Sequence, residues 1–530
     1  MVYNLINEKW IPVRRANGKK EFIAPWQVTD DIGSNPIVSL DANRPDFNGA
    51  LIQFLIGLVQ TTIAPKKDRN WMTRFTEPPK VDELKTAFEI VSRAFNVDGD
   101  RPRFMQDFKP DKWESNEIDK LLVEIPGDKT IKDNTDHFVK RNSIKRMCLA
   151  CSALALFTLQ TNAPSGGQGH RVSLRGGGPL TTIILGDTLW QTIWLNVLNE
   201  SDFLDKYGNS SLIDDASIFP WMGPTHTSEK DQLTTPEHVH PAHMFWGMPR
   251  RIFLDIKSGE SGNCDLCNQN SSNLITSYIT KNKGTYYGSS WHHTLTPYRH
   301  EKSDLISIKG QPGGITFRHW LGFVQNDRKN GNEPAVVVHT FRLQRQPSLE
   351  NKKTLQLWAF GYDFDNMKVR CWYEGKMPLI NVEDNIRENY ESAIEQLIRV
   401  SELISDNVRK YAKEAMFTRP GDVKGDFSFI DNRFWNNAEP EFYTTLEKLR
   451  VAFSDGTDTI VEIKLKWLNT LFRIGEQLFD EYSQSNQIDV ADPKRIALAH
   501  RNLRKFNQKN NKQIMKILYL PDKPTISKNK

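Results

Sequence analysis

Apolar residues along this chain change their spacing near Pro378, and the elements they predict change with them. Before that point, short alternating runs mix with a few helical segments. Trp10-Ile11-Pro12-Val13 reads as a short strand leading into a turn at Asn17-Gly18. Ala50–Ile63 is apolar on every side and reads as a buried helix. Asp82–Phe95 places Leu84, Phe88, Val91 and Phe95 at helical spacing, and Met147–Leu159 reads as a second buried helix. Thr181–Gly186 predicts a strand ending in a turn. Val336–Leu343 and Leu355–Tyr362 also predict strands, the latter pairing with Lys368–Tyr373 through a tight turn at Asp363–Met367. Asp128–Arg146 is rich in Lys, Asp and Asn and predicts a surface loop.

Beyond Pro378 the pattern is helical throughout. Glu383–Ala415 repeats Ile386, Tyr390, Ile394, Leu397, Leu403, Val408 and Tyr411. Glu441–Phe453 is shorter, and Thr459–Tyr482 carries Ile463, Trp467, Leu471, Ile474 and Leu478. Pro493, just after Asp492, opens a last helix through Phe506. Four helices with short connections predict an antiparallel bundle. The expected fold class is α+β: a large, irregular mixed α/β domain over 1–378, a four-helix bundle over 379–515 and a basic tail over 516–530. The tail, from Lys509 on, is expected to fray.

Composition narrows the class. The 530 residues are 25% charged and 38% apolar, as in an ordinary globular protein, and the net charge of +5 permits nucleic-acid binding without demanding it. Phe47–Pro65 carries no charge, but Asn48, Gln53, Gln60, Thr61 and Thr62 make it a buried helix rather than a bilayer span. The start lacks a basic segment followed by an apolar one, so no secretory signal or membrane location is expected. Five cysteines are too few for a secreted disulfide scaffold, which points to a reducing cytoplasm.

Four of those cysteines form two pairs, Cys148-x-x-Cys151 and Cys264-x-x-Cys267, leaving Cys371 alone. Each pair brings two thiolates to one ion, and two pairs complete a tetrahedral Zn²⁺ site. Such a site has no open position for a catalytic water, so the zinc is expected to be structural, clasping two distant segments. A redox pair or chance spacing are the alternatives.

The second strong signal is the glycine-rich run Ser165-Gly166-Gly167-Gln168-Gly169-His170-Arg171, continuing through Arg175-Gly176-Gly177-Gly178. It matches neither a phosphate-binding Walker loop nor a dinucleotide fingerprint. It is either a flexible connection or a bare backbone that enters a narrow groove or meets phosphates, with Arg171 and Arg175 adding charge. The histidines at 238, 240 and 243, and at 292, 293 and 300, suggest a zinc-dependent hydrolase or nuclease as a rival reading, but no catalytic motif accompanies them. Lys281 and Lys283 precede Tyr286-Tyr287, and Lys494, Arg495, Arg501, Arg504, Lys505 and Lys509 lie along the last helix. These are either solvated faces or a phosphate-binding track.

Several stretches together carry a resemblance. They are Asn4-Leu5-Ile6-Asn7-Glu8-Lys9-Trp10-Ile11-Pro12-Val13, Gly57-Leu58-Val59-Gln60-Thr61 with Ala64-Pro65, the cysteine pairs, Asn162-Ala163-Pro164, Leu174-Arg175-Gly176-Gly177, Phe245-Trp246-Gly247-Met248-Pro249-Arg250-Arg251, and Gly361-Tyr362-Asp363-Phe364-Asp365-Asn366-Met367-Lys368. In this order the chain resembles the large subunit of the type I-E Cascade complex, the CRISPR surveillance assembly (CasA family).

The resemblance implies a non-catalytic subunit. In that family the guide RNA reads sequence by pairing, while this subunit reads the short protospacer-adjacent motif in double-stranded DNA, promotes strand opening and recruits the helicase-nuclease. It implies that Gly167, Gln168, Gly169 and His170 approach the minor groove and that Lys283 reaches into it. Asp365, Asn366 and Met367 would form a wedge below the motif. Phe138 would lie near the motif and the neighbouring subunits, and the helical bundle would contact the small subunits. Two departures stand out: Asn366 occupies the wedge where relatives carry glutamine, and Gln168 stands where a third glycine might sit.

Overall fold

The uncharged stretch near the N-terminus forms the helix Pro45–Thr62, buried along almost its whole length. Its Phe54 ring lies at the centre of an aromatic cluster, meeting Trp10, Phe95, Phe104, Phe157 and Trp246 edge-on at 5.4–6.1 Å between centroids. The polar residues that argued against a bilayer span are spent inside the protein. Gln60, for example, both accepts from the Leu198 N–H (2.7 Å) and donates to the Leu198 carbonyl (3.2 Å). Among the described residues no helix is long and apolar enough to cross a membrane.

The computed structural model describes residues 2–126, 132, 143–167, 169–256, 260–288, 291–302, 304–349, 354–483 and 492–520. The chain divides into two compact units. The first is built from 1–310, 330–345 and 355–376, the second from 311–329, 346–354 and 377–530. The first is mixed α/β with small antiparallel sheets, and the second is helical, as the α+β expectation requires.

In the first unit the strand Ile11–Arg15 pairs on both sides, with Lys20–Ile23 and with Ile37–Leu40. The buried helix Leu149–Asn162 packs beside Pro45–Thr62, joined through the Phe54–Phe157 ring contact. A second sheet sets Leu355–Asp365 between Thr181–Leu185 and Lys368–Leu379, with Trp358 opposite Ile183. The strand Ser277–Lys281 lies between Glu114–Glu117 and Arg251–Leu254.

One strand expectation is overturned. Val336–Thr340 is helical and continues as one wide π turn over Phe341–Arg345. The three β-branched valines favour a strand locally, but packing decides otherwise. Val337, Val338, Phe341 and Arg345 are buried at helical spacing, and the Arg345 guanidinium lies 4.4 Å over Trp71 while donating to the Val197 carbonyl.

The second unit contains the long helices Asp384–Met416, Ser428–Ser454 and Ile460–Ser483, then Pro493–Phe506. The second of these begins well before the expected Glu441. Pro440 reads as a stop in sequence, yet Ile430, Phe434, Trp435 and Ala438 are all buried and carry the helix across it. The expectation of a frayed tail fails over Lys512–Leu518, a short helix anchored by the fully buried Ile514 and Leu518. The Lys464 ammonium donates to the Leu518 carbonyl at 3.2 Å and ties that helix to the bundle. Asp492, before Pro493, caps its helix by accepting from the Lys494 and Arg495 N–H groups.

Replacing Phe54 with alanine empties the ring cluster and is expected to cost about 3–5 kcal/mol. The measurement is the thermal unfolding midpoint, which should fall clearly; an unchanged midpoint contradicts a core centred on this ring.

Candidate metal centre and nucleic-acid interface

Local structure brings the two cysteine pairs together. Cys148 ends the short strand Met147–Cys148 and caps the helix Leu149–Asn162, its Sγ accepting from the Cys151 N–H at 3.5 Å. One helical turn therefore carries Cys151 to the same side. The other pair sits at the tip of a hairpin between Gly262–Asn263 and Asn270–Ser271, in a tight turn with Asn268 at φ 57°. The strand Leu274–Ile275 then pairs with Met147–Cys148, Leu274 opposite Cys148. Asp265 adds a second strap, its carboxylate accepting from the Lys145 and Arg146 N–H groups at 2.8 and 3.0 Å.

The four sulfurs all lie within 4.8 Å of one another, and Cys148 and Cys267 are 3.8 Å apart. Four thiolates at about 2.3 Å from a tetrahedral zinc are separated by about 3.8 Å, so the donor set fits such an ion. Thiol hydrogen bonds from Cys148, Cys151 and Cys267 push Cys264 far down, while its crowded neighbours hold Cys151 well up. Cys264 and Cys267 are thus pushed toward the thiolate and Cys148 and Cys151 away from it, within one hydrogen-bonded cluster of sulfurs. Among the described residues this is the only group of three or more His, Cys, Asp or Glu side chains placed to hold a metal.

The glycine-rich run is a constrained loop rather than a flexible connection. The Ser173 N–H donates to the Ala163 carbonyl and closes its base at 3.0 Å, and the His170 N–H donates to the Gly167 carbonyl at 3.1 Å. Gly167 and Gly169 have φ of 80° and 77°, which glycine adopts without strain. A Cβ on Gly166 would strike the Arg250 guanidinium at 2.5 Å, whereas one on Gly167 would meet nothing. Arg250 is half-buried beneath the loop and donates to the Pro164 carbonyl. Burial lowers its pKa to about 10, so it stays charged at neutral pH. Sequence reasoning missed this support; only the Phe245–Arg251 resemblance pointed at it.

Lys283 meets this loop directly. Its backbone N–H donates to the Gly169 carbonyl at 2.7 Å, and its own φ is 58°. The cysteine hairpin leads through Leu274–Ile275 and Ser277–Lys281 to that point, so the clasp sets where the lysine lies. Lys281 remains in the strand, opposite Arg251. His170, half-buried, has its pKa lowered by burial and by Arg250, which favours the neutral ring. Gln168 and Phe138 lie outside the described residues.

The two loop arginines do not behave as expected from sequence. Arg171 pairs with Asp231 at 2.8 Å and stacks 4.1 Å over Tyr286. Arg175 is buried and adds no surface charge.

The far end of the run packs against the long hairpin. A Cβ on Gly178 would run into the Phe364 ring. The hairpin then turns in two residues, Asn366 and Met367, at φ 45° and 68°. Met367 is 49% exposed, so the tip presents an apolar side chain to solvent. Asp365 accepts from the Asn366 amide at 3.1 Å and lies 3.8 Å from Arg370, whose guanidinium grips Asp363 at 2.7 and 3.0 Å.

The histidines have partners of their own, and two of them share one. His240 accepts from the Ala242 N–H, His238 caps the turn at Thr235, and His243 is buried between the Ser217 carbonyl and the Tyr287 hydroxyl. His292 and His300 both face Glu333, at 3.6 and 2.9 Å.

The family described as CRISPR-associated protein Cse1 matches residues 4–478, and the chain belongs to it. Solved structures share the fold. CasA of Thermus thermophilus is 12% identical with a TM-score of 0.68, over 96% of this chain and 99% of that one. Cse1 of Thermobifida fusca is 13% identical with a TM-score of 0.68, over 98% of both chains. A chain of a CRISPR RNA-guided surveillance complex is 16% identical with a TM-score of 0.64, over 96% of this chain and 99% of that one.

Metal analysis tests the cysteine centre. The purified chain should carry one tightly held metal ion, lost in Cys148→Ser with a fall in unfolding midpoint of roughly 5–10 °C. A variant that keeps both its metal and its midpoint would rule out the clasp.

Proposed function

We propose that this chain is the non-catalytic large subunit of an RNA-guided type I-E surveillance complex, and that it reads the protospacer-adjacent motif in duplex DNA and starts strand opening. The observation that carries this reading is the hydrogen bond from the Lys283 N–H to the Gly169 carbonyl. It sets an exposed cation beside main chain without side chains, with open space over Gly167. Bare backbone and one lysine suit a narrow minor groove, whose hydrogen-bond code is degenerate, so a loosely defined motif is expected. His170, and Gln168 in the same loop, would flank that contact, with Phe138 near the neighbouring subunits.

Asp365, Asn366 and Met367 act as the wedge in this proposal. The exposed Met367 is an apolar tip able to enter between base pairs, a step that costs a few kcal/mol and is offset by groove and phosphate contacts. The Asp365 carboxylate, held toward Asn366 and Arg370, is partly neutralised and so less repelled by phosphates. Zn²⁺ is the ion proposed for the four cysteines, in a structural role. The helical unit is proposed to contact the small subunits, and the assembled complex, with its guide RNA, to recruit the helicase-nuclease. Binding energy, not bond chemistry, drives these steps.

Gly167→Asn tests groove reading cleanly. Asparagine tolerates a left-handed backbone, and its Cβ would find open space here, so folding should persist. Affinity of the assembled complex for motif-bearing duplex should fall at least about tenfold. Lys283→Ala should weaken binding and flatten its salt dependence. Unchanged affinity in both would refute the reading.

The double change Asn366→Ala and Met367→Ala should leave initial duplex capture intact and slow strand opening, followed by a fluorescent base analogue beside the motif. Opening at the normal rate would remove the wedge.

A further inference from the structure

Arg175 is an unusual arginine. It is only 6% exposed, and among the described residues no carboxylate pairs with it. Its Nη1 donates to the hydroxyls of Thr181 (3.0 Å) and Thr296 (2.9 Å), and its Nη2 donates to Gln53 Oε1 (2.6 Å). A guanidinium has five N–H groups, so two remain unspent. Burial lowers the pKa to about 10, which leaves the group charged at neutral pH.

His293 is buried close by. Its Nδ1 accepts from the Leu295 N–H at 3.1 Å, so the ring proton sits on Nε2, and that nitrogen is a donor. Burial and the neighbouring Arg175 hold its pKa well down, so the ring is neutral.

Both side chains line one small cavity with Gln53, Phe157, Gln160 and Thr161. Its volume, counted for the centre of a water-sized sphere, is about 20 Å³, above the roughly 10–15 Å³ that one such particle needs. The amide acceptors around it are already used. Gln53 Oε1 takes Arg175, and Gln160 Oε1 takes the Arg250 N–H at 2.9 Å. Apart from the Thr161 hydroxyl, the side chains of the walls therefore offer spare N–H donors and a positive charge. A water would bring two more donors in search of acceptors, whereas a halide only accepts.

We propose that this cavity is a binding site for a single monatomic halide, chloride in ordinary buffers, held by the unspent N–H groups of Arg175 and by His293 Nε2. The anion compensates a buried charge that is otherwise costly to keep. It lies beneath the glycine-rich run, where the Arg175 carbonyl accepts from Ser307 Oγ at 2.5 Å. The site is independent of the DNA-reading proposal and is large enough for neither phosphate nor carboxylate.

The test uses the full chain. At constant ionic strength, chloride replaces gluconate, which is too large to enter, and the unfolding midpoint is followed. The wild type should gain stability with each tenfold rise in chloride. Arg175→Met should abolish that response and His293→Leu should reduce it; if Arg175→Met does not fold, His293→Leu decides. Crystals grown in bromide should show an anomalous peak in the cavity. Equal midpoints in chloride and gluconate, or a cavity holding only water in the bromide crystals, would overturn the proposal.

Discussion

The convergence of four cysteine sulfurs within 4.8 Å is the constraint on which the first unit's functional geometry depends. Cys148 and Cys267 lie 119 positions apart in the chain, and closing so long a loop costs entropy that a few backbone hydrogen bonds offset poorly. A metal ion held by the four thiolates would offset it in one place. From there the geometry propagates through short, stiff pieces: the strand paired to Met147–Cys148, the three-stranded sheet around Ser277–Lys281, and then Lys283 against Gly169. A lysine on a loose turn would carry the same charge but no direction.

The glycine-rich loop complements this. Its glycines serve different purposes. Gly166 makes room for the Arg250 guanidinium, Gly178 for the Phe364 ring, and Gly167 leaves open space on the outside. Removal of side chains thus packs the loop inward and bares it outward. The same stretch connects at one end to the cysteine-anchored lysine and at the other to the hairpin that ends in Asn366 and Met367. The loop and the hairpin tip are therefore parts of one packed body, and in the proposed function binding at one would be felt at the other.

Much of this was legible in the sequence where the signal is local. Matching cysteine spacings announced the cluster, the uncharged stretch with interior glutamines announced the buried helix, and the helical periodicity after Pro378 announced the second unit's long helices. What was not legible depended on tertiary contacts. The valines at 336–338 favour a strand until burial on one helical face decides otherwise. Pro440 reads as a stop until the buried Phe434 and Trp435 hold the helix across it. Ile514 and Leu518 looked like part of a basic tail because the apolar run is short and set among lysines. Arg171 and Arg175 illustrate the same limit at the site: a charge in a loop cannot be told from a charge in the core without its partners.

Photo-crosslinking would decide whether the clasped lysine reads DNA. A diazirine-bearing lysine analogue is placed at position 283 in the assembled, guide-loaded complex, with duplex DNA that carries or lacks the flanking motif. If bare backbone and this lysine read the groove together, crosslinks fall on the motif nucleotides and disappear when the motif is changed. Crosslinks confined to protein or guide RNA, or equal with and without the motif, would contradict it.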